Sequence, residues 1–225
     1  MFKKTPSAIL FDLDGTIADT ALDLSATLNH ILKINGRDTI ENALIRNMVG
    51  QGAKALILKG FTHTGDTPSE EKIDELFNEY LKYYLNHISD ETELFPGTLS
   101  LLDQLKSLNI PLAICTNKNI ELTTKLLENF NINQYFDAVT CGDSFSYKKP
   151  DPRHLYSTCE LMSVDPLKAI MVGDSINDIA AGNSAKMLTV GVTFGYTEIP
   201  MSELGADIVI DKFDEFITSV NRHSN

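Results

Sequence analysis

Two aspartates, Asp12 and Asp14, lie at the end of an apolar stretch, residues 8–16, which reads Ala-Ile-Leu-Phe-Asp-Leu-Asp-Gly-Thr. The stretch is short and rich in residues that favour strands, which predicts a buried β-strand. Alternate residues of a strand share a face, so both carboxylates leave the strand end in the same direction. Two carboxylates that close together need a bound cation, a shared proton or a catalytic role. Mg²⁺ bound by a few carboxylates and a phosphate is the natural solution.

The same letters have two other interpretations. A calcium loop that began at Asp12 would carry Gly at its sixth position and Glu at its twelfth. Those positions hold Ile17 and Asp23, and the stretch before Asp12 is strand-like rather than helical, which argues against a calcium loop. A strand that simply ends in acids before a turn is the other interpretation, and only the rest of the chain decides against it.

Two later stretches add polar groups of the kind that binds phosphate. Residues 110–117, Ile-Pro-Leu-Ala-Ile-Cys-Thr-Asn, form a second apolar strand that ends in Thr116 and Asn117. Residues 147–152, Tyr-Lys-Lys-Pro-Asp-Pro, place Lys149 directly before a proline. Taken alone, the first is an ordinary strand-to-turn ending and the second an ordinary solvated loop.

A third stretch, residues 169–178, reads Ala-Ile-Met-Val-Gly-Asp-Ser-Ile-Asn-Asp. It predicts an apolar strand that ends at Asp174, followed by Ser175 and, one helical turn on, Asp178. Taken alone, Ser175 is a plain helix N-cap. These plain interpretations fail together, because they would place acids, a hydroxyl and a lysine at one sheet edge by accident.

The order of these motifs resembles the haloacid dehalogenase superfamily of phosphatases. The chain shows Asp-x-Asp-Gly-Thr, then Thr, then Lys-Pro, then Gly-Asp-Ser-x-x-Asp, and the resemblance runs from residue 8 to about residue 215. It implies a soluble enzyme that hydrolyses a small phosphorylated metabolite with Mg²⁺ as cofactor.

The resemblance also implies a role for each matching residue. Asp12 is the expected nucleophile, which forms an aspartyl-phosphate, and Asp14 is the expected general acid and then base. The metal set implied is Asp12, the backbone carbonyl of Asp14, and Asp174. Thr116 is expected to hydrogen-bond the phosphoryl group.

The same resemblance implies supporting residues around that group. Asn117 is expected beside the phosphoryl group, and Lys149 is expected to neutralise its charge. Lys148 is the alternative lysine, and Lys149 is preferred because the superfamily lysine directly precedes proline. Ser175 and Asp178 are expected next to the ligands, with Asp178 holding the metal's water or Lys149.

The hydrophobic pattern predicts how the chain positions these residues. From residue 94 onward, strands and helices alternate, which predicts a parallel sheet covered on both faces. The fold class is therefore α/β, with a Rossmann-like parallel sheet core and an α-helical cap inserted after the first strand. The predicted elements are helices near 99–108, 119–129, 152–163, 176–185 and 212–220, and strands at 110–115, 136–141, 168–173, 187–192 and 207–210.

Residues 17–92 break this alternation and show helical spacing, as in the run from Ile73 to Leu85. Helices are predicted near 22–32, 39–48, 52–60 and 73–85, with no strand. We therefore predict a core of residues 1–16 and 93–225 and a helical cap of residues 17–92. The acidic stretch 89–93 is predicted to be a solvated hinge.

Composition narrows the partners and the compartment. The chain has 225 residues, with 19 Lys and Arg against 31 Asp and Glu, a net charge of −12. Such a charge disfavours nucleic acid and anionic membranes as partners. The sequence has neither a signal-peptide pattern nor an apolar span, so we expect a cytoplasmic protein. The sequence does not indicate its oligomeric state.

The three cysteines, Cys115, Cys141 and Cys159, are too few and too scattered for a disulfide framework or a zinc cluster. Cys115 adjoins Thr116 on an apolar strand, and a buried thiol is expected there rather than a nucleophile.

Three glycine-containing stretches suggest the substrate. Residues 49–54, 141–155 and 191–196 resemble phosphoglycolate phosphatases, and Gly50 and Gly52 would offer backbone N–H groups to a substrate carboxylate. Lys54 and Arg46 are candidates to add positive charge there, with a solvated surface role as the alternative.

Several other functions share this core and cap. One alternative is a phosphatase that hydrolyses a sugar or amino-sugar phosphate, a nucleotide or pyrophosphate. The others are a sugar-phosphate mutase and a regulatory protein without enzymatic activity. The expected catalytic side chains are all present, which argues against the regulator.

One residue departs from the family pattern. Lys186 stands where relatives commonly carry glycine, at a helix C-terminus that needs positive φ, which would cost about 1 kcal/mol of stability.

Overall fold

The computed structural model describes residues 1–197 and 199–223. Within these residues a sheet of six strands runs in the order β5-β4-β1-β6-β7-β8, and every neighbouring pair is parallel. The strands are β1 (Ile9–Phe11), β4 (Leu112–Cys115), β5 (Ala138–Thr140), β6 (Ile170–Gly173), β7 (Leu188–Val192) and β8 (Ile208–Ile210). The predicted fold class is confirmed.

Helices cover both faces of this sheet, as the alternation of β1 requires. Ile9 and Phe11 pack into one apolar cluster, while Leu10 packs into a second one on the opposite face. The core helices are α5 (Thr98–Ser107), α6 (Ile120–Asn129), α7 (Arg153–Leu161), α8 (Ile176–Ser184) and α9 (Phe216–His223), with short 3₁₀ turns at Asn133–Tyr135, Pro166–Lys168 and Phe213–Glu215.

Four helices follow the first strand and form the inserted cap. They are α1 (Ala21–Ile34), α2 (Asn42–Arg46), α3 (Ala53–Thr64) and α4 (Glu70–Asn86). Ser69 caps α4 by accepting a hydrogen bond from the Lys72 N–H, and the apolar side of α4 packs against α1 and α3. The division of the chain into domains at residues 16/17 and 92/93 stays a prediction.

The connection between cap and core differs from the prediction. A strand does occur within residues 17–92: β2 (Ala18–Asp19) pairs antiparallel with β3 (Glu93–Leu94). Both crossings between core and cap therefore share one small ribbon. Two-residue strands carry no periodicity, which is why the sequence pattern did not reveal them.

The predicted solvated hinge at residues 89–93 is wrong at Thr92, although Asp90, Glu91 and Glu93 are exposed. Thr92 is buried, and its hydroxyl donates to the Asp23 carboxylate at 2.6 Å. The same carboxylate accepts the backbone N–H groups of Glu91 and Thr92. Asp23 of α1 thus fixes the returning chain instead of leaving it in solvent.

Among the described residues, the helices lack the combined length and apolar character needed to cross a bilayer.

Candidate active site

Three neighbouring strands of the sheet deliver the predicted polar residues to one edge. Asp12 directly follows β1, Thr116 follows β4, and Asp174 follows β6, which ends at Gly173. Because β4, β1 and β6 are adjacent and parallel, their carboxyl ends meet at the same place. The structure therefore brings together side chains that are more than 150 residues apart in sequence, with Thr16 donating to Asp174 as one example.

A buried lysine lies at the centre of this edge. Lys149 is 2% exposed, and its Nζ lies 3.0 Å from Asp12 Oδ1 and 2.6 Å from Asp178 Oδ1. Burial alone would lower the pKa of Lys149, but the carboxylates of Asp12 and Asp178 raise it above its ordinary value. The ammonium is therefore charged at neutral pH.

The neighbouring lysine lies elsewhere. Lys148 is exposed, and its Nζ donates to the backbone carbonyl of Gln51 in the cap at 3.2 Å. Of the two candidate lysines, the structure places Lys149 against Asp12.

Asp174 is held in a close-fitting backbone pocket. Its Oδ2 accepts the Tyr196 N–H at 2.8 Å, and its Oδ1 accepts the Thr16 hydroxyl at 3.3 Å. A Cβ at either Gly15 or Gly195 would overlap this carboxylate, so both positions need glycine. Burial, Asp178 and Asp12 raise the pKa of Asp174 well above its usual range.

The acidic cluster fits a divalent cation. Ligand atoms of Asp12, Asp174 and Asp178 lie within 4.8 Å of one another, and all three residues are buried. Burial and the Asp178 charge raise the pKa of Asp12 to about 6, although Lys149 lowers it. One lysine against three carboxylates leaves excess negative charge, which a metal ion would neutralise.

The three acids differ in the hydrogen bonds that their oxygens already accept. Asp178 uses Oδ1 for Lys149 and Oδ2 for the hydroxyl and backbone N–H of Ser175. Asp12 Oδ1 is close to Lys149 but accepts no well-aligned hydrogen bond from the described part of the chain. Among the described residues, both oxygens of Asp174 and both oxygens of Asp178 accept hydrogen bonds, whereas Asp12 Oδ1 does not. Asp178 supports Lys149 and the start of α8.

Thr116 and Asn117 line the cleft above this cluster. The Asn117 side chain donates to the backbone carbonyl of Lys149 at 2.9 Å, which ties the lysine's loop to the end of β4. The Thr116 hydroxyl accepts the Lys118 N–H at 3.2 Å and keeps its own proton for another acceptor.

Asp14 has a partner that sequence reasoning missed. Lys118, only 5% exposed, places its Nζ 2.8 Å from Asp14 Oδ1 and 3.1 Å from the Tyr84 hydroxyl of α4. Asp14 Oδ1 also accepts the Thr20 hydroxyl at 2.7 Å. The one available signal was the position of Lys118, two residues past Thr116 at the end of an active-edge strand.

The cap closes the cleft with its glycine loop. Gly50 and Gly52 both have positive φ, and both line the cleft together with Asp12 and Asp14. The Gly50 carbonyl accepts the Asn177 side chain at 3.1 Å, so the loop contacts the start of α8. Gly52 immediately precedes α3.

The two candidate cations of the cap, Lys54 and Arg46, have different surroundings. Lys54 forms an exposed ion pair with Asp74. Arg46 lies 3.4 Å from Asp19 Oδ2, with its guanidinium over the ring of Tyr196. The structure therefore gives Lys54 the solvated role.

The three cysteines are buried and unpaired, as expected. Burial raises the pKa of the Cys115 thiol, so it stays protonated.

Comparison with known proteins gives the family. The family model for haloacid dehalogenase-like hydrolases matches residues 9–192. The phosphoglycolate phosphatase of Agrobacterium fabrum is 44% identical over 209 residues, covering 93% of this chain and 89% of that protein. The phosphoglycolate phosphatase of Caulobacter vibrioides is 40% identical over 207 residues, covering 92% of this chain and 87% of that protein.

A solved structure agrees with these relatives. The crystal structure of a predicted phosphoglycolate phosphatase from Haemophilus somnus superimposes with a TM-score of 0.91 at 28% identity, covering 96% of this chain and 98% of that one. The chain therefore belongs to the haloacid dehalogenase-like hydrolases, and it is an enzyme of the phosphatase class.

Proposed function

We propose that this enzyme hydrolyses 2-phosphoglycolate to glycolate and phosphate, through an aspartyl-phosphate on Asp12 and with Mg²⁺ as cofactor. The observation that carries the proposal is the buried ammonium of Lys149 between Asp12 and Asp178, beside Asp174. A nucleophilic carboxylate, a fixed cation and a second metal-binding carboxylate are the groups that phosphoryl transfer needs.

Each residue has a task in this reaction. An Asp12 oxygen forms a bond to phosphorus while the bond from phosphorus to the ester oxygen breaks. Asp14 gives its proton to the leaving alkoxide and then takes one from the water that attacks the aspartyl-phosphate. Lys149 and the Thr116 hydroxyl bind the phosphoryl oxygens. Asp12, Asp174 and the Asp14 carbonyl would hold Mg²⁺, which when bound would offset the repulsion between the Asp12 carboxylate and the phosphate.

The cap supports a small substrate. Gly50 and Gly52 lie over the cleft in contact with the core, so little space remains above the phosphate position. A short phosphate ester lets such a cap close fully and exclude water. In this proposal the carboxylate of phosphoglycolate faces the Gly50–Gly52 loop, and the relatives named phosphoglycolate phosphatase support that substrate.

A substrate panel tests the proposal. Purified enzyme with Mg²⁺ is assayed for phosphate release from 2-phosphoglycolate, glucose 6-phosphate, an amino-sugar phosphate, a nucleotide, pyrophosphate and p-nitrophenyl phosphate. The highest kcat/KM is expected for 2-phosphoglycolate, and both EDTA and Asp12→Asn are expected to abolish turnover. A higher kcat/KM for a sugar phosphate would refute the substrate, while metal-independent turnover would refute the mechanism.

A further inference from the structure

The buried hydroxyl of Tyr80 in the cap lacks a hydrogen-bond partner in the described part of the chain. Tyr80 of α4 is fully buried, and its hydroxyl finds no hydrogen-bond partner within residues 1–197 and 199–223. A buried polar group without a partner destabilises a fold, so native proteins keep few of them. Such a group is explained when a ligand supplies the missing partner.

The position of Tyr80 points to that ligand. Tyr80 lines the same cleft as Asp12, Asp14 and Thr116. Burial and the neighbouring Tyr84 raise the pKa of its hydroxyl well above the ordinary value. The hydroxyl therefore keeps its proton at neutral pH and can donate it to an acceptor in the cleft.

A cation lies beside this hydroxyl. The ring of Tyr80 packs edge-on against that of Tyr84, with centroids 5.7 Å apart, and Tyr84 accepts a hydrogen bond from Lys118. An ammonium has three N–H groups, and in the described structure the oxygen partners of Lys118 Nζ are the Tyr84 hydroxyl and the Asp14 carboxylate. Two donors, one neutral and one charged, thus line the same cleft.

The surrounding wall restricts what these donors can bind. Apolar side chains form much of the remaining cleft wall, among them Leu24, Ala53, Leu56 and Leu122. A compact oxyanion would use both donors and leave nothing unpaired. A sugar would bring several hydroxyls against aliphatic side chains, and burying them without partners is unfavourable.

We propose that Tyr80 is a specificity-determining residue, whose hydroxyl donates a hydrogen bond to the carboxylate at the non-transferred end of the substrate, next to the Lys118 ammonium. This inference rests on the proposed function and adds the residue that recognises the substrate carboxylate. Tyr80 belongs to α4 and Lys118 follows β4, so a bound carboxylate connects the helical segment to the sheet.

A matched pair of substrates isolates this contact. Ethyl phosphate carries a methyl group where 2-phosphoglycolate carries its carboxylate. We expect Tyr80→Phe to lower the ratio of kcat/KM for 2-phosphoglycolate over ethyl phosphate by about 10- to 100-fold, the usual effect of one hydrogen bond to a charged group. Tyr83→Phe removes a hydroxyl from the same helix at its outer surface and is expected to keep the wild-type ratio.

Inhibition gives the same comparison without turnover. The inhibition constant of 3-phosphonopropionate should rise in Tyr80→Phe by a similar factor relative to that of propylphosphonate. The Tm of ligand-free Tyr80→Phe should equal or exceed that of the wild type, because the variant loses an unpartnered hydroxyl.

The outcomes separate the two proposals. An unchanged substrate ratio in Tyr80→Phe, or a loss of folding, would overturn the role of Tyr80 and leave the proposed function intact. A wild-type enzyme that does not prefer 2-phosphoglycolate to ethyl phosphate would overturn both.

Discussion

Replacing Asp12 should make the metal-free protein more stable. In the absence of metal, burial and the Asp178 charge hold the pKa of Asp12 at about 6, against an ordinary value of 3.8. Between these pH values the folded chain retains a proton that the unfolded chain has released. Stability from this carboxyl therefore falls as pH rises from 3.8 to about 6, and the loss is complete above that window.

The size of the effect follows from those two pKa values. At about 1.4 kcal/mol per pKa unit, ionised Asp12 costs the folded state about 3 kcal/mol at pH 7.5. Asp12→Asn removes that charge and should raise Tm in EDTA by roughly 6–12 °C, at roughly 2–4 °C per kcal/mol for a chain of this size. The gain should shrink towards pH 4, where folded Asp12 is already protonated.

Thermal unfolding of both proteins in EDTA at pH 7.5 and pH 4.5 measures this. Asp38→Asn, at an exposed cap position, is the matched control and should change Tm little at either pH. Mg²⁺ should stabilise the wild type and have less effect on Asp12→Asn, which loses a ligand. A Tm for Asp12→Asn in EDTA at pH 7.5 that is equal to or lower than that of the wild type would show that ionised Asp12 does not destabilise the metal-free fold.

Three further predictions concern chemistry, specificity and backbone strain. Asp14→Asn should lose most turnover of alkyl phosphates but less of p-nitrophenyl phosphate, whose leaving group needs no proton; equal losses in kcat would remove its general-acid role. Gly52→Leu should raise KM for phosphoglycolate more than for p-nitrophenyl phosphate, whereas Gly36→Leu, another positive-φ cap glycine with open space around it, should alter neither KM. Lys186→Gly should raise the free energy of unfolding by about 1 kcal/mol at unchanged kcat, because φ is +57° there, and an unchanged denaturation midpoint would contradict this.

The family and fold were predictable because their signals are local. Each core strand is a short apolar run that ends in a polar residue, and parallel strands bring those ends to one edge. The expected positive φ at Lys186 is likewise a local property: the Lys186 and Met187 N–H groups bond back to Asn183 and Gly182, closing the end of α8.

The missed features depend on contacts between distant residues. Lys118 contacts Asp14, which is 104 residues away in sequence, and Tyr84, which is 34 residues away. Hydrophobic periodicity does not predict either contact. Helical spacing predicts that Tyr80 and Tyr84 of α4 face the interior. It does not distinguish the apolar core from the cleft. Only the resemblance to the family favours Lys149 over Lys148 as the phosphate-binding lysine in the sequence, because the two residues are adjacent and chemically identical.

In the proposed reaction Asp12 carries the phosphoryl group, and chemical trapping can detect that group on the residue. Enzyme turning over 2-phosphoglycolate with Mg²⁺ is quenched in acid and reduced with borohydride, which converts an aspartyl-phosphate to homoserine. Peptide mass spectrometry is expected to find homoserine at position 12, and only when substrate and Mg²⁺ are both present. Turnover that leaves Asp12 unmodified and produces homoserine at Asp14 or Asp174 would show that Asp12 is not the nucleophile.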